Sequence, residues 1–152
     1  MKLSTKGRYG LRAMVDIAGN GGEGAVSISS IAQRQNLSES YLEQLMSLLR
    51  KAGIIESVRG AGGGYRLARP PQSISVGEVL RALEGDLNPV ECSALLGVGE
   101  PCAAEDTCVT KYVWQRINES ISRTVDEIML DQLVEESRKN CCSGTDKRVC
   151  RN

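Results

Sequence analysis

Three cysteines, Cys92, Cys102 and Cys108, stand at C-x9-C-x5-C spacing in a chain of 152 residues that contains no histidine. Thiolates ligate iron–sulfur clusters and zinc, so residue type alone leaves a cluster, zinc and unliganded thiols open. Structural zinc sites tend to bring paired cysteines at tight spacing, and no C-x2-C occurs here. Cys141, Cys142 and Cys150 complete a set of six, all in the second half of the chain. The start shows no signal-peptide pattern and no run of eighteen apolar residues occurs, so a cytoplasmic protein without a membrane partner is expected. In that setting clustered cysteines point to metal or redox chemistry sooner than to structural disulfides.

The elements around the cysteines must position them. Asp86 to Thr107 carries prolines, glycines and acids with no amphipathic period, which predicts a long loop kept for function. Before it, Ser75 caps a helix with Val76, Val79, Leu80 and Leu83 on one face, and Gly85 ends it. After it, Val109, Val113, Ile117, Ile121, Val125 and Ile128 form an apolar stripe at three- and four-residue spacing. An apolar face without a partner in its own domain calls for a second chain, so this helix is expected to form a homodimer with its symmetry mate. Met129, Leu130, Leu133 and Val134 predict a shorter terminal helix lying on the partner's first domain, and the residues from Asn140 onward are expected to be disordered. The expected division is residues 1–85, a cysteine-bearing loop at 86–107, dimerisation and terminal helices at 108–138, and a tail at 139–152.

Charge divides the same way. Residues 1–70 hold ten Lys or Arg against five Asp or Glu, a net +5, and residues 71–152 hold nine against fourteen, a net −5. The basic half suits nucleic acid; the acidic half has another task. In the basic half, Ser4 or Thr5 caps a first helix to about Gly19 with Leu11, Met14, Val15 and Ala18 toward a core. Lys2, Lys6, Arg8 and Arg12 crowd its first half, where they oppose the helix dipole, so phosphate contact explains them better than stability does. A short helix capped near Ser27 precedes a turn and then a longer helix capped by Ser38. That helix puts Leu42, Leu45, Leu48, Leu49 and Ala52 on one stripe, and Ser40, Glu43, Gln44, Ser47 and Lys51 on the other. Gly53 follows as a left-handed stop. Ile54, Ile55 and Val58 supply a strand, Tyr65 and Leu67 a second, with a glycine-rich tip between Arg59 and Gly64.

Helix, turn, helix, basic hairpin is the outline of a winged helix-turn-helix, here mainly α with a small β-hairpin wing. SYLEQL, SVRGAGGGYRL and the opening MKLSTKGRYGLRAM resemble the winged-helix transcription regulators of the family that includes the iron–sulfur cluster regulator IscR. The resemblance implies a homodimeric repressor of iron–sulfur cluster biogenesis genes that binds double-stranded DNA at a palindromic promoter site. It also implies that Cys92, Cys102 and Cys108 hold a two-iron, two-sulfur cluster. The first cysteine gap is longer than is usual in that family. The family's histidine, three residues after the third cysteine, is replaced by Lys111, and a lysine ligates only after losing a proton. The fourth ligand is therefore open among Glu91, Glu100, Glu105, Asp106, the tail cysteines, water and small thiols, with a loop carboxylate ranked first. Nitric-oxide-sensing relatives take an acid from the first helix of the partner chain. The matching place here is Arg8, which favours the IscR-like reading.

Ser38, Ser40, Tyr41, Glu43 and Gln44 are the DNA-facing candidates on the long helix, since glutamine pairs with adenine and glutamate accepts from cytosine. Glu43 is expected to act as a filter that cluster binding moves into or out of place. Arg59, Gly60, Gly62 and Gly63 form the wing tip, and Lys6, Arg8 and Lys51 are phosphate candidates. Alternatives are a regulator on the same scaffold that senses zinc, thiol oxidation, nitric oxide or a small molecule, or a cluster carrier or redox protein. An enzyme is not expected, because the chain has no histidine base, no nucleophile constellation and no P-loop.

Overall fold

The apolar stripes of the basic half close on one another in the structure, a computed structural model that describes residues 3–22, 24–90, 92, 102–103 and 106–143, without the side chains of 141–143. Six α-helices and one hairpin are present among the described residues: α1 (Thr5–Asn20), α2 (Ile28–Gln35), α3 (Glu39–Lys51), β1 (Ile55–Val58), β2 (Gly64–Leu67), α4 (Val76–Glu84), α5 (Thr110–Glu127) and α6 (Leu130–Ser143). A 3-10 turn at Pro71–Ser73 joins the hairpin to α4. None of the helices is long and apolar enough to cross a membrane.

Each helix of the first domain begins where a serine satisfies an orphan amide. Ser4 accepts from Lys6 N, Ser27 from Ser30 N, Ser38 from Tyr41 N and Ser75 from Glu78 N, and Glu78 returns a bond from Ser75 N in a capping box. Gly53 takes the left-handed conformation after α3, at φ +70°.

The main core gathers Met14 and Ile17 of α1, Ile31 of α2, Leu42, Leu45, Met46 and Leu49 of α3, and Val79 and Leu83 of α4, all buried. Two faces are rotated from the expected ones. Leu11, Val15 and Ala18 are only half-buried on α1, while Gly7, Gly10 and Ala13 are buried. Small residues there let α4 approach closely, and a Cβ on Gly10 would run into the Leu83 side chain. On α3, Met46 takes the buried place that Ala52, exposed beyond the helix end, was expected to share.

The hairpin is antiparallel, with Ile55 opposite Leu67 and Val58 opposite Gly64. It is tied back to the α1–α2 connection by an isolated bridge in which Val26 and Tyr65 exchange two backbone bonds of 2.8 Å. The approach is so close that a Cβ on Gly64, whose φ is +152°, would strike the Val26 backbone.

The terminal helices differ from expectation. α6 lies on this chain's own core: Leu130 is fully buried and Val134 nearly so. A short ladder directs it there, since Val76 N donates to Ile128 O and Leu130 N to Ile74 O, both at 2.9 Å. The helix also continues to Ser143, so residues 139–143, expected within a disordered tail, are helical. An i,i+3 ion pair of Lys139 with Glu136, 3.0 Å, supports that last stretch. Residues 144–152 lie outside the described residues.

Candidate nucleic-acid interface and cysteine segment

The serine cap at Ser38 fixes where α3 starts, and with it which side chains face outward. Ser40, Glu43, Gln44 and Lys51 are exposed along one side, and Ser47 is half-buried between them. Lys6 of α1 joins Ser40, Glu43 and Gln44 around a shallow depression on this face. Tyr41 is half-buried. Its hydroxyl donates to Thr5 Oγ1 at 3.3 Å, and its ring meets Tyr9 edge-on with centroids 6.2 Å apart. Tyr41 thus braces α3 against α1, a contact that sequence spacing did not show. Arg8 and Arg12 both lie over the Tyr9 ring, at 5.1 and 5.5 Å from its centre. Arg12 is further occupied by Gln35, donating to its side-chain and backbone oxygens at 3.0 and 3.1 Å, which leaves Lys6 and Arg8 as the outward cations of the first helix.

The wing tip is exposed from Arg59 to Gly62, and Gly63 is half-buried. Gly60 has φ +107°, and its carbonyl accepts from Gly63 N at 3.0 Å, which closes the turn. Arg66, the cation on the second strand of the hairpin, is held by Glu56 across it at 2.9 Å. Arg59 is therefore the tip's outward cation. A network missing from the sequence reading locks α2 to α1: buried Asp16 accepts two bonds from Arg34 Nε, one from Arg34 Nη2 at 2.6 Å and one from Gln35. The i,i+4 proximity of Arg12 and Asp16 was the available signal, but the partners lie across the helix-turn-helix.

Together these elements present one polar helix face, two α1 cations and a basic glycine tip. That is the equipment of a winged helix, and the comparisons agree. The model of the Rrf2 family, described as an iron-dependent transcriptional regulator, matches residues 3–136. The chain belongs to the Rrf2 family. The transcriptional regulator CymR of Bacillus subtilis is 47% identical over 133 residues, 88% of this chain and 89% of CymR. Its solved structure, described as that of the global cysteine regulator of B. subtilis, matches with a TM-score of 0.73 at 43% identity, covering 90% of this chain and 98% of that one. The structure of T. potens IscR matches with a TM-score of 0.72 at 45% identity, covering 91% and 90%. The chain is accordingly a DNA-binding transcription regulator with a winged-helix domain. Rrf2 proteins are not enzymes.

The Rrf2 resemblance directs attention to the cysteines. Cys92 is half-buried beyond the end of α4, Cys102 is exposed, and Cys108 is half-buried just before α5. Cys108 Sγ lies 3.2 Å from Thr110 Oγ1. That hydroxyl, followed by the Lys111 and Thr110 amides and the Lys111 charge, draws the thiol below its ordinary range. A thiolate at the open N-terminus of a helix is the state a metal needs. The donor set therefore fits a thiophilic metal centre by residue type and, at Cys108, by local electrostatics. Among the described residues no three His, Cys, Asp or Glu side chains are gathered into one cage. Of the carboxylates expected nearby, Asp106 is exposed, whereas Glu91, Glu100 and Glu105 lie outside the described residues, as does Cys150.

The helix after Cys108 divides in two. Val109 is 84% exposed, and Tyr112, Val113 and Ile117 are exposed with it. Ile121, Val125 and Ile128 instead pack on Val76, Leu80 and Leu87. Arg81 secures that lower half with a bidentate pair to Asp126 at 2.7 and 2.8 Å.

Proposed function

We propose that this protein is a homodimeric regulator whose affinity for a roughly palindromic DNA site is set by an iron–sulfur cluster, of the two-iron, two-sulfur type, on Cys92, Cys102 and Cys108. The observation that carries the reading is the placement of Cys108, half-buried at the start of α5 with Sγ 3.2 Å from Thr110 Oγ1, and of Cys92, half-buried beyond α4 in the same segment, in a chain matched by a family model described as an iron-dependent transcriptional regulator. A bound cluster supplies redox and ligand-exchange chemistry, and a set of three thiolates with a weaker fourth ligand suits reversible occupancy. The cysteine segment joins α4, part of the winged-helix core, to the exposed upper half of α5. Occupancy there bears on both the DNA-facing domain and the apolar face offered to a second copy.

On DNA, α3 enters the major groove with Ser40, Glu43 and Gln44 toward base edges, Tyr41 holding the helix against α1 and Ser38 setting its start. Lys6, Arg8 and Lys51 take phosphates, and Arg59 with Gly60, Gly62 and Gly63 forms the wing contact. Symmetry-related Val109, Val113 and Ile117 build the dimer, so that two α3 helices meet successive major grooves. Repression of cluster-biogenesis genes in the cytoplasm is the matching physiological role.

Anaerobic purification with an absorption spectrum and iron and sulfide assays tests the reading. A brown protein with acid-labile sulfide, lost in Cys92→Ala, Cys102→Ala and Cys108→Ala, is the expected result; colourless protein rejects it. A second reading is favoured by the 47% identity to CymR and by the missing histidine. In it the same scaffold senses thiol status through Cys108, and colourless protein whose DNA affinity follows thiol oxidation is its mark.

A further inference from the structure

Glu84 is the last residue of α4, one place before Gly85 turns at φ +92° and the chain enters the cysteine segment. One oxygen of its carboxylate, Oε1, accepts three hydrogen bonds, from Ser4 N at 3.0 Å, Ser4 Oγ at 2.8 Å and Gly7 N at 2.8 Å. These donors belong to the opening of α1, where amides have no partner within the helix. A Cβ on Gly7 would sit 2.7 Å from Oε1, so glycine is what lets the carboxylate reach the amide. A carboxylate at that end also offsets the helix dipole, which Lys6 and Arg8 aggravate.

The opening of α1 is in turn joined to α3. Thr5 accepts from the Tyr41 hydroxyl, and Tyr9 packs on the Tyr41 ring. On the other side, Leu87, three residues beyond Glu84, is buried with Val76 and Leu80 against Leu11 of α1 and Ile121 and Val125 of α5. The start of the cysteine segment is therefore in contact with the first helix and with the helix that follows the cysteines.

We propose that Glu84 is the positioning residue through which the cysteine segment sets the DNA-facing end of α1. The inference rests on the sensing reading above. A rearrangement that turns the chain at Gly85 withdraws the carboxylate and leaves three donors unpaired. It frays the turn that carries Lys6 and Arg8 and loosens the Thr5 anchor of Tyr41. Loss of phosphate contacts lowers affinity for all sequences; loss of the Tyr41 brace changes how α3 sits.

The test is a double-mutant cycle on the full chain, with Cys92→Ala as the perturbation of the segment and Glu84→Ala as the break. Two quantities are read: amide exchange over residues 3–9, and affinity for a duplex selected from random sequence by the wild-type protein. Cys92→Ala is expected to raise exchange and shift affinity about tenfold in the wild type, within the usual range of coupling between sites. In the Glu84→Ala background it is expected to change neither, while Glu84→Gln, which keeps an acceptor oxygen, preserves the wild-type response. Where Glu84→Ala fails to fold, Ser4→Ala removes one donor to Glu84 together with the Lys6 cap, so each variant is read against its own baseline, and the response to Cys92→Ala is expected to fall by about half or more. A Cys92→Ala effect of full size in Glu84→Ala or Ser4→Ala overturns the relay and leaves the sensing reading standing. A wild type that ignores Cys92→Ala in both measurements overturns the sensing reading, and the relay with it.

Discussion

The two halves of α5 carry one apolar stripe and meet different fates. The lower half, Ile121 and Val125, is covered by α4 and Leu87, and Asp126 is clamped by Arg81. In the upper half Val109, Tyr112, Val113 and Ile117 are exposed. Periodicity reports that a helix has an apolar face; it does not report which stretch of that face its own chain covers. The division also explains the cysteines' position. They sit between a helix fixed to the winged-helix domain and the end of a helix whose apolar face is exposed.

Substitutions on either side of that boundary separate folding from assembly. The largest expected effect is Leu130→Ala, just past the lower half, where a fully buried side chain is removed; a loss of about 2–5 kcal/mol is expected in urea unfolding. Ile121→Asp, on the covered half, is expected to destabilise the monomer as well. Val113→Asp with Ile117→Asp, on the exposed half, is expected to leave the monomer's unfolding nearly unchanged and to abolish the dimer in sedimentation. Monomeric wild-type protein, or a destabilised double variant, breaks the comparison.

The clamp gives a smaller, pH-dependent effect. Asp126 is held below the usual carboxylate range by Arg81, and Glu78 by the Ser75 amide and then Arg69. A depressed folded pKa means stability that is present above the ordinary value of about 4 and is lost as pH falls through the lowered one. Asp126→Asn is therefore expected to cost stability at pH 6 and to flatten its decline toward pH 3. With both side chains of the clamp more than a third exposed, the loss is expected below about 1 kcal/mol.

On the DNA side the effects are measured as affinity. Lys6→Ala is expected to weaken binding equally across sequences and to reduce the salt slope by about 1. Glu43→Ala is expected to change affinity for the best site least and to broaden the set of sites bound by cluster-free protein. Unchanged selectivity removes the filter role of Glu43.

The winged-helix half was legible because its signals are local. Serine caps, Gly53 and the glycine tip each act within a turn or two of chain, and the structure places all of them as the sequence suggested. Less legible were contacts made by small or polar residues across elements. Gly7 and Gly10 look like weak helix positions until α4 is laid against them, and Asp16 looks like a surface acid until Arg34 arrives from α2. The docking of α6 was misread because Leu130 and Val134 announce burial without naming the chain that provides it. At the cysteines, residue type and spacing left a cluster, zinc and unliganded thiols open and only the family resemblance pointed to a cluster, while the Thr110 hydroxyl beside Cys108 became visible only once the start of α5 was in place.

The central claim is that occupancy of the cysteine segment sets DNA affinity. Its most direct test is the affinity of one preparation for a duplex selected from random sequence, measured anaerobically with the cluster loaded and again after its removal. The account predicts a shift of about tenfold or more between the two states, abolished in Cys108→Ala. Equal affinities in a protein shown to have gained and lost its iron and sulfide would contradict it.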